Sequence, residues 1–246
     1  MTRIGITERG DAGLDLSWLD KLSDGMVDGV IAITKDPEKL ISINIPDKVV
    51  IHCTITGLGR DWEPNAPDTK DALLAYHYLV DKYGGDRIVL RVDPIIPYVY
   101  EDMRLSDDGG LSCAARVLRN RPEHMGRVRI SFMDMYYHVR KRYANKFGKE
   151  FCLWKGIHAP LEIRQNAIRA LKLWSMIDNM EVCGEPDIEC IGCVSNLDLK
   201  AMHLESEDSI LLKGQRKYCN CLEIKTELLS NRHPCKHNCL YCYWMD

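Results

Sequence analysis

Cys235, Cys239 and Cys242 fall within eight residues in the string CKHNCLYCYW. Cys-x3-Cys-x2-Cys places three thiolates on one tight loop. A cubane [4Fe–4S] cluster needs one ligand per iron, and such a loop reaches three of them. The fourth iron stays open to a small molecule, as an open position does on any catalytic metal. The competing reading is structural zinc held by these cysteines and His237 or His233. Zinc sites usually pair ligands as Cys-x2-Cys with a second pair well separated, which three compressed thiols fit poorly.

A second set of thiols precedes the first. Cys190-x2-Cys193 and Cys219-x-Cys221 offer four more ligands, for a second iron–sulfur cluster or a zinc ion joining two loops. The plainer alternative is that one pair ligates nothing. Cys53, Cys113 and Cys152 stand alone in strand or helix contexts and read as small buried hydrophobes. The first residues carry no signal-peptide apolar region, and no 18-residue apolar run suggests a membrane span. The expectation is a cytoplasmic protein, in which 11 cysteines are metal ligands and buried thiols rather than a disulfide framework.

These ligands need a scaffold. The chain has 246 residues, 46% of them hydrophobic, enough for one large α/β domain or two small ones. Its net charge of −3 supplies no global field for nucleic acid. Apolar runs predict strands over Arg3–Thr7, Val30–Thr34, Val49–Thr56, Arg87–Val92, Val128–Phe132 and Met180–Cys183. Helical periodicity marks Thr69–Tyr83 and Leu161–Met176. Alternating strands and helices argue for a parallel sheet with right-handed crossovers, a complete or partial TIM-like barrel. The rise in cysteine density divides the chain into a barrel over 1–185 and a cysteine-rich, cluster-binding tail over 186–246 packed on it.

Barrels keep their reacting groups where strands run into loops at their C-terminal ends. That rule gathers Thr7, Glu8, Arg9 and Asp11 after the first strand, and Thr54, Thr56, Arg60 and Glu63 after the third. It adds Arg91 and Asp93, then Ser131, Asp134 and Tyr136, then Glu185 and Asp187. Each string alone reads as a structural salt bridge. Five in register imply a polar pocket at one barrel mouth. Glu8, Arg9, Arg91, Asp93 and Asp134 are the candidate catalytic groups, and Thr7, Thr54 and Thr56 the candidate cofactor contacts. Residues 136–149 interleave Arg and Lys with Tyr, and residues 116–129 add five arginines. They suit a solvated helix face, or a basic rim that would grip a phosphate backbone.

The cysteine spacing resembles that of the radical S-adenosylmethionine (SAM) enzymes, which carry an aromatic residue just before the third cysteine, here Tyr241. CKHNCLYCYW is similar to the variant in the spore photoproduct lyase group, with His237, Tyr241 and Tyr243 in the corresponding places. ITERGDAGLDLSW, TITGLGRDWEPN, RVDPIIP, ISFMDMY, GQRKYCNC and CKHNCLYCY resemble an uncharacterised bacterial and phage family ending in this motif. The resemblance implies a barrel and a [4Fe–4S] cluster on Cys235, Cys239 and Cys242. It also implies SAM on the open iron with Tyr241 on its adenine side, and an external electron donor. The substrate would be a small molecule or nucleobase. Action on nucleic acid is an alternative by analogy of motif, and a non-catalytic zinc- or cluster-stabilised binding module is a third reading. The chain departs from the superfamily in order. Those enzymes place the cysteines after the first barrel strand, whereas here four residues follow Cys242. Either the order is permuted, with residues 1–20 supplying the next strand and helix, or the tail folds back over the barrel mouth. The Gly-Gly-Glu string that usually holds the SAM amino group is also missing.

Overall fold

In the computed structural model, residues 2–97, 109–122, 126–147, 154–205, 218–222, 225–229 and 235–245 are described. His124, Cys152 and His233 lie outside them. Seven strands form one sheet: β1 (Ile4–Ile6), β2 (Gly29–Thr34), β3 (Val49–Thr54), β4 (Ile88–Ile95), β5 (Val128–Phe132), β6 (Glu181–Val182) and β7 (Lys225–Glu227). All pairings are parallel, in the order β6-β5-β4-β3-β2-β1-β7. The sheet curls into a half-barrel and not a closed barrel.

Strand alternation explains the layers. Val49, Ile51 and Cys53 of β3, Ile88, Leu90 and Val92 of β4, and Val128, Ile130 and Phe132 of β5 pack in one core with the helices. Those helices include α3 (Thr69–Tyr83), α4 (Gly110–Arg119) and α6 (Leu161–Ser175). On α3, Ala72, Leu73, Tyr76, Leu79 and Val80 are buried, a stripe at helical spacing. The opposite, concave face carries Ile4, Ile6, Ile31, Ile33, Val50 and Val89. Strands buried on both faces must be apolar almost throughout, which is why they read as continuous runs.

The concave face is filled at one end by α7 (Asn196–Ala201), whose Leu199 packs with Val194 and Met202 against those residues. Ser195 caps α7 through a reciprocal bond with Asp198. Buried Asp198 also pairs with Arg127 at 2.7 Å, and Glu181 pairs with Arg129 at 2.6 Å. Two buried cations thus meet two carboxylates, as burial of charge requires. His52, fully buried beside them, is pushed down to about 4 by that burial.

Residues 225–227 lie inside the segment expected to be a separate tail, yet they add β7 to the sheet beside β1. β7 therefore precedes β1 in space while following every other strand in sequence. The cysteine loop follows β7 in sequence, and the neighbour of β7 in the sheet is β1, which leads to α1 (Ser17–Ser23).

Candidate functional site

The C-terminal strand ends open into a cavity of about 550 Å³. Glu8, Arg9, Thr54, Arg91, Asp93 and Asp134 all line it, as strand-end logic expected. Arg91 and Asp93, two apart on β4, face the same side and form an ion pair. Ser131 donates to Asp93 at 2.8 Å. Asp134 lies 2.8 Å from His158, and Glu8 3.3 Å from Lys225. The Arg9 guanidinium stands 4.8 Å over the Trp244 ring. Two buried polar atoms on this wall, Thr54 Oγ1 and Arg91 Nε, have no hydrogen-bond partner among the described residues. Unpaired buried polar groups are costly.

Two expected cofactor contacts sit elsewhere. The Thr7 hydroxyl accepts from Ile33 N at 2.8 Å and donates to Ile33 O, extending the β1–β2 pairing. Thr56 donates to Glu63 at 2.6 Å. Neither lines the cavity. Glu185 is likewise internal. It accepts from Phe132 N at 2.7 Å and faces Arg164 at 3.2 Å, and burial pushes it up to about 7.

Cys235, Cys239 and Cys242 line the cavity together. Their loop is tied down at many points. Leu240 N donates to Trp62 O at 2.8 Å, and Asn65 Nδ2 to Lys236 O at 2.8 Å. The Arg142 guanidinium gathers the carbonyls of Leu240, Cys242 and Met245. His237 lies 2.9 Å from Asp11 and 3.4 Å from Asn65 O, so both ring nitrogens are engaged and neither is free to ligate a metal. Tyr241 donates to Glu63, which also pairs with Lys35 at 2.7 Å. The Lys35 ammonium sits 5.2 Å over the Tyr241 ring. Behind the loop, Trp62, Tyr143, Met133, Met135 and Trp154 pack against Cys239 and Tyr241 in a second apolar core. Burial pushes the Cys239 thiol up to about 12. A metal would have to displace that proton.

Four more thiols reach the same cavity: Cys183, Cys193, Cys219 and Cys221. Cys190 is not among them. Its Sγ accepts from Glu185 N and donates to Glu185 O, both at 3.2 Å, and packs toward the helix-side core. Cys183 ends the predicted strand Met180–Cys183, so strand-end logic contained the signal for it. Lys35, first after the predicted strand Val30–Thr34, was open to the same reading. Among the described residues, no three His, Cys, Asp or Glu side chains converge on a single-ion position.

The proposed basic rim is largely spent internally. Arg127 and Arg129 pair with Glu181 and Asp198. Arg121 donates to Ser175 O, and Arg140 to Trp154 O.

Fold and site together define an α/β half-barrel protein with a cysteine-rich cavity at its C-terminal strand ends. The chain belongs to the family described as Domain of unknown function (DUF1848), whose model matches residues 19–244. No curated protein and no solved structure matches it. Among the described residues, no helix is long and apolar enough to cross a membrane.

Proposed function

We propose that this protein is a radical SAM enzyme in which Cys235, Cys239 and Cys242 hold a [4Fe–4S] cluster. The observation that carries this reading is the position of their loop. It follows β7 in sequence at the C-terminal end of a parallel half-barrel, and the neighbour of β7 in the sheet is β1, which leads to α1. Two further features suit the group. His237 is engaged by Asp11 and Asn65, which weighs against His237 as the histidine of a three-cysteine, one-histidine zinc site. The cavity wall also presents unpaired buried donors on Thr54 and Arg91.

When bound, the cluster and SAM supply reductive cleavage of the sulfonium and hydrogen abstraction from a substrate, given an external electron donor. The chain's own residues bind, orient and exclude water. Arg91 Nε and Thr54 Oγ1 suit anionic or hydroxyl oxygens of a ligand. Glu8, Asp93 and Asp134 suit amino and hydroxyl groups. In this reading Tyr241, held by Glu63 with Lys35 over its ring, lines the adenine side of the cavity. The aromatic wall behind Cys239 keeps the loop dry, which favours reactions that water or stray hydrogen donors would quench. A cavity of about 550 Å³ suits a small molecule or a single base.

The test is anaerobic reconstitution followed by reduction with SAM. The wild type should form 5′-deoxyadenosine, and Cys239→Ala should lose both iron and that activity. Equal cleavage in the variant, or none in iron-loaded wild type, overturns the assignment.

A further inference from the structure

Cys183, Cys193, Cys219 and Cys221 are brought together from three separate places: the end of β6, the loop after it, and residues 218–222 just before β7. Cys183 Sγ lies 3.3 Å from Cys193 Sγ. Cys193 N donates to Cys221 Sγ at 3.1 Å. The Cys221 side chain neighbours those of Cys193 and Cys219.

The approach is built into the backbone. A Cβ on Gly192 would stand 2.3 Å from Cys221 Cα and 2.4 Å from Cys221 N, so only glycine lets the two loops touch. Leu222 N to Val194 O at 2.9 Å and Asn220 Nδ2 to Cys190 O at 2.9 Å tie the same loops together. Arg91 and Arg129 stand near Cys183 and Cys193, and Lys225 near Cys219 and Cys221. Each of these cations also has a carboxylate partner, Asp93, Glu181 or Glu8.

We infer that Cys183, Cys193, Cys219 and Cys221 hold a second, four-cysteine iron–sulfur centre, in the same cavity as the terminal cysteines. Four thiols on neighbouring loops supply the ligand set of a four-cysteine [2Fe–2S] or [4Fe–4S] cluster, and tetrahedral zinc, which a four-cysteine set also holds, is an outcome the test separates. N–H donation to a ligating sulfur, as from Cys193 to Cys221, is one way proteins tune such centres. On loading, each thiol releases its proton to solvent, while iron and sulfide come from the reconstitution mixture.

The inference does not depend on the proposed radical chemistry, and its test separates the two. The full chain carrying Cys235→Ala, Cys239→Ala and Cys242→Ala should still take up iron and acid-labile sulfide after anaerobic reconstitution, about half the wild-type load if both centres are cubanes. Adding Cys183→Ser and Cys193→Ser should remove the rest, whereas adding Cys190→Ala should remove none. Circular dichroism of the metal-free forms checks folding. Cys219→Ser, at the edge of the set, offers a milder variant whose visible and electron paramagnetic spectra should shift. The inference is overturned by a triple variant without iron, by zinc without sulfide, or by iron that survives loss of Cys183 and Cys193. Absence of SAM cleavage in protein that passes these tests would count against the proposed function alone.

Discussion

Glu63→Gln tests what holds the terminal cysteine loop. Glu63 is 8% exposed and takes three donors: Lys35 at 2.7 Å, Thr56 at 2.6 Å and the Tyr241 hydroxyl. Burial works against the Lys35 ammonium, yet Glu63 carries its pKa above the usual lysine value. The glutamine keeps the shape and removes the charge, so the ammonium is left without its counter-ion. Breaking one side of a buried pair costs roughly 3–5 kcal/mol. Lys35 could escape by shedding its proton, but from an ordinary pKa near 10.4 that costs about 5 kcal/mol at pH 7. The escape is no cheaper than the penalty. With Lys35 at 15% side-chain exposure, the lower end applies, about 3 kcal/mol. For a chain of this size that is a fall in Tm of roughly 6–12 °C. Thermal unfolding of the metal-free protein under reductant, followed by tryptophan fluorescence, reads it directly. Lys35→Met added to Glu63→Gln should then recover stability, since the orphaned charge is gone. A single variant that loses less than about 1 kcal/mol, or a double variant no better than the single, refutes the reasoning.

Tyr241→Phe removes one hydrogen bond to a charged partner and should cost about 2 kcal/mol, with weaker iron retention at the terminal cysteines; unchanged denaturation and iron affinity would contradict it. Gly192→Ala should destabilise by about 1–3 kcal/mol, because its Cβ meets backbone that cannot swing aside, and calorimetry would detect it. Asp93→Asn should lower Tm by roughly 6–12 °C, because Arg91 loses its counter-ion, and should also weaken SAM binding about tenfold, ~1.4 kcal/mol by isothermal titration at a temperature where the variant is folded; normal SAM affinity there would make the Arg91–Asp93 pair structural. His52 should give a pH signature. Its pKa of about 4 when folded lies below its unfolded value, so between those values the unfolded chain binds the proton and the folded chain does not. Stability is therefore full above about pH 6.5 and falls as pH drops toward 4, by on the order of 2–3 kcal/mol. His52→Gln should flatten that slope in urea titrations across pH 5–7.5.

The long apolar strands and the helices Thr69–Tyr83 and Leu161–Ser175 were legible because burial on one stripe or two faces leaves a periodic mark. β7 was not, since Lys225, Thr226 and Glu227 form a three-residue edge strand with no apolar run. Its place comes from pairing with β1, a long-range fact that local pattern does not carry. The cavity residues Glu8, Arg9, Thr54, Arg91, Asp93 and Asp134 followed from a rule about strand ends. Thr7 and Thr56 obeyed the same rule in sequence, yet their hydroxyls satisfy neighbouring backbone and Glu63 instead. Cys190 drew notice through its Cys-x2-Cys spacing, but the Cys183 side chain occupies the cavity wall while Cys190 bonds the backbone of Glu185.

The pairing of β7 with β1 sets an order of assembly. Synthesis runs from the amino end at a finite pace, and β1 is made long before its outer neighbour. Until residues 225–227 emerge, β1 is an open sheet edge, a surface on which stray strands can add. The loop of Cys235, Cys239 and Cys242 is made after all seven strands. The docking of β7 then removes the vulnerable edge and delivers the thiols in one stroke. An arrested nascent chain truncated before residue 225 should bind foreign strands at β1 and take up no iron at the terminal site.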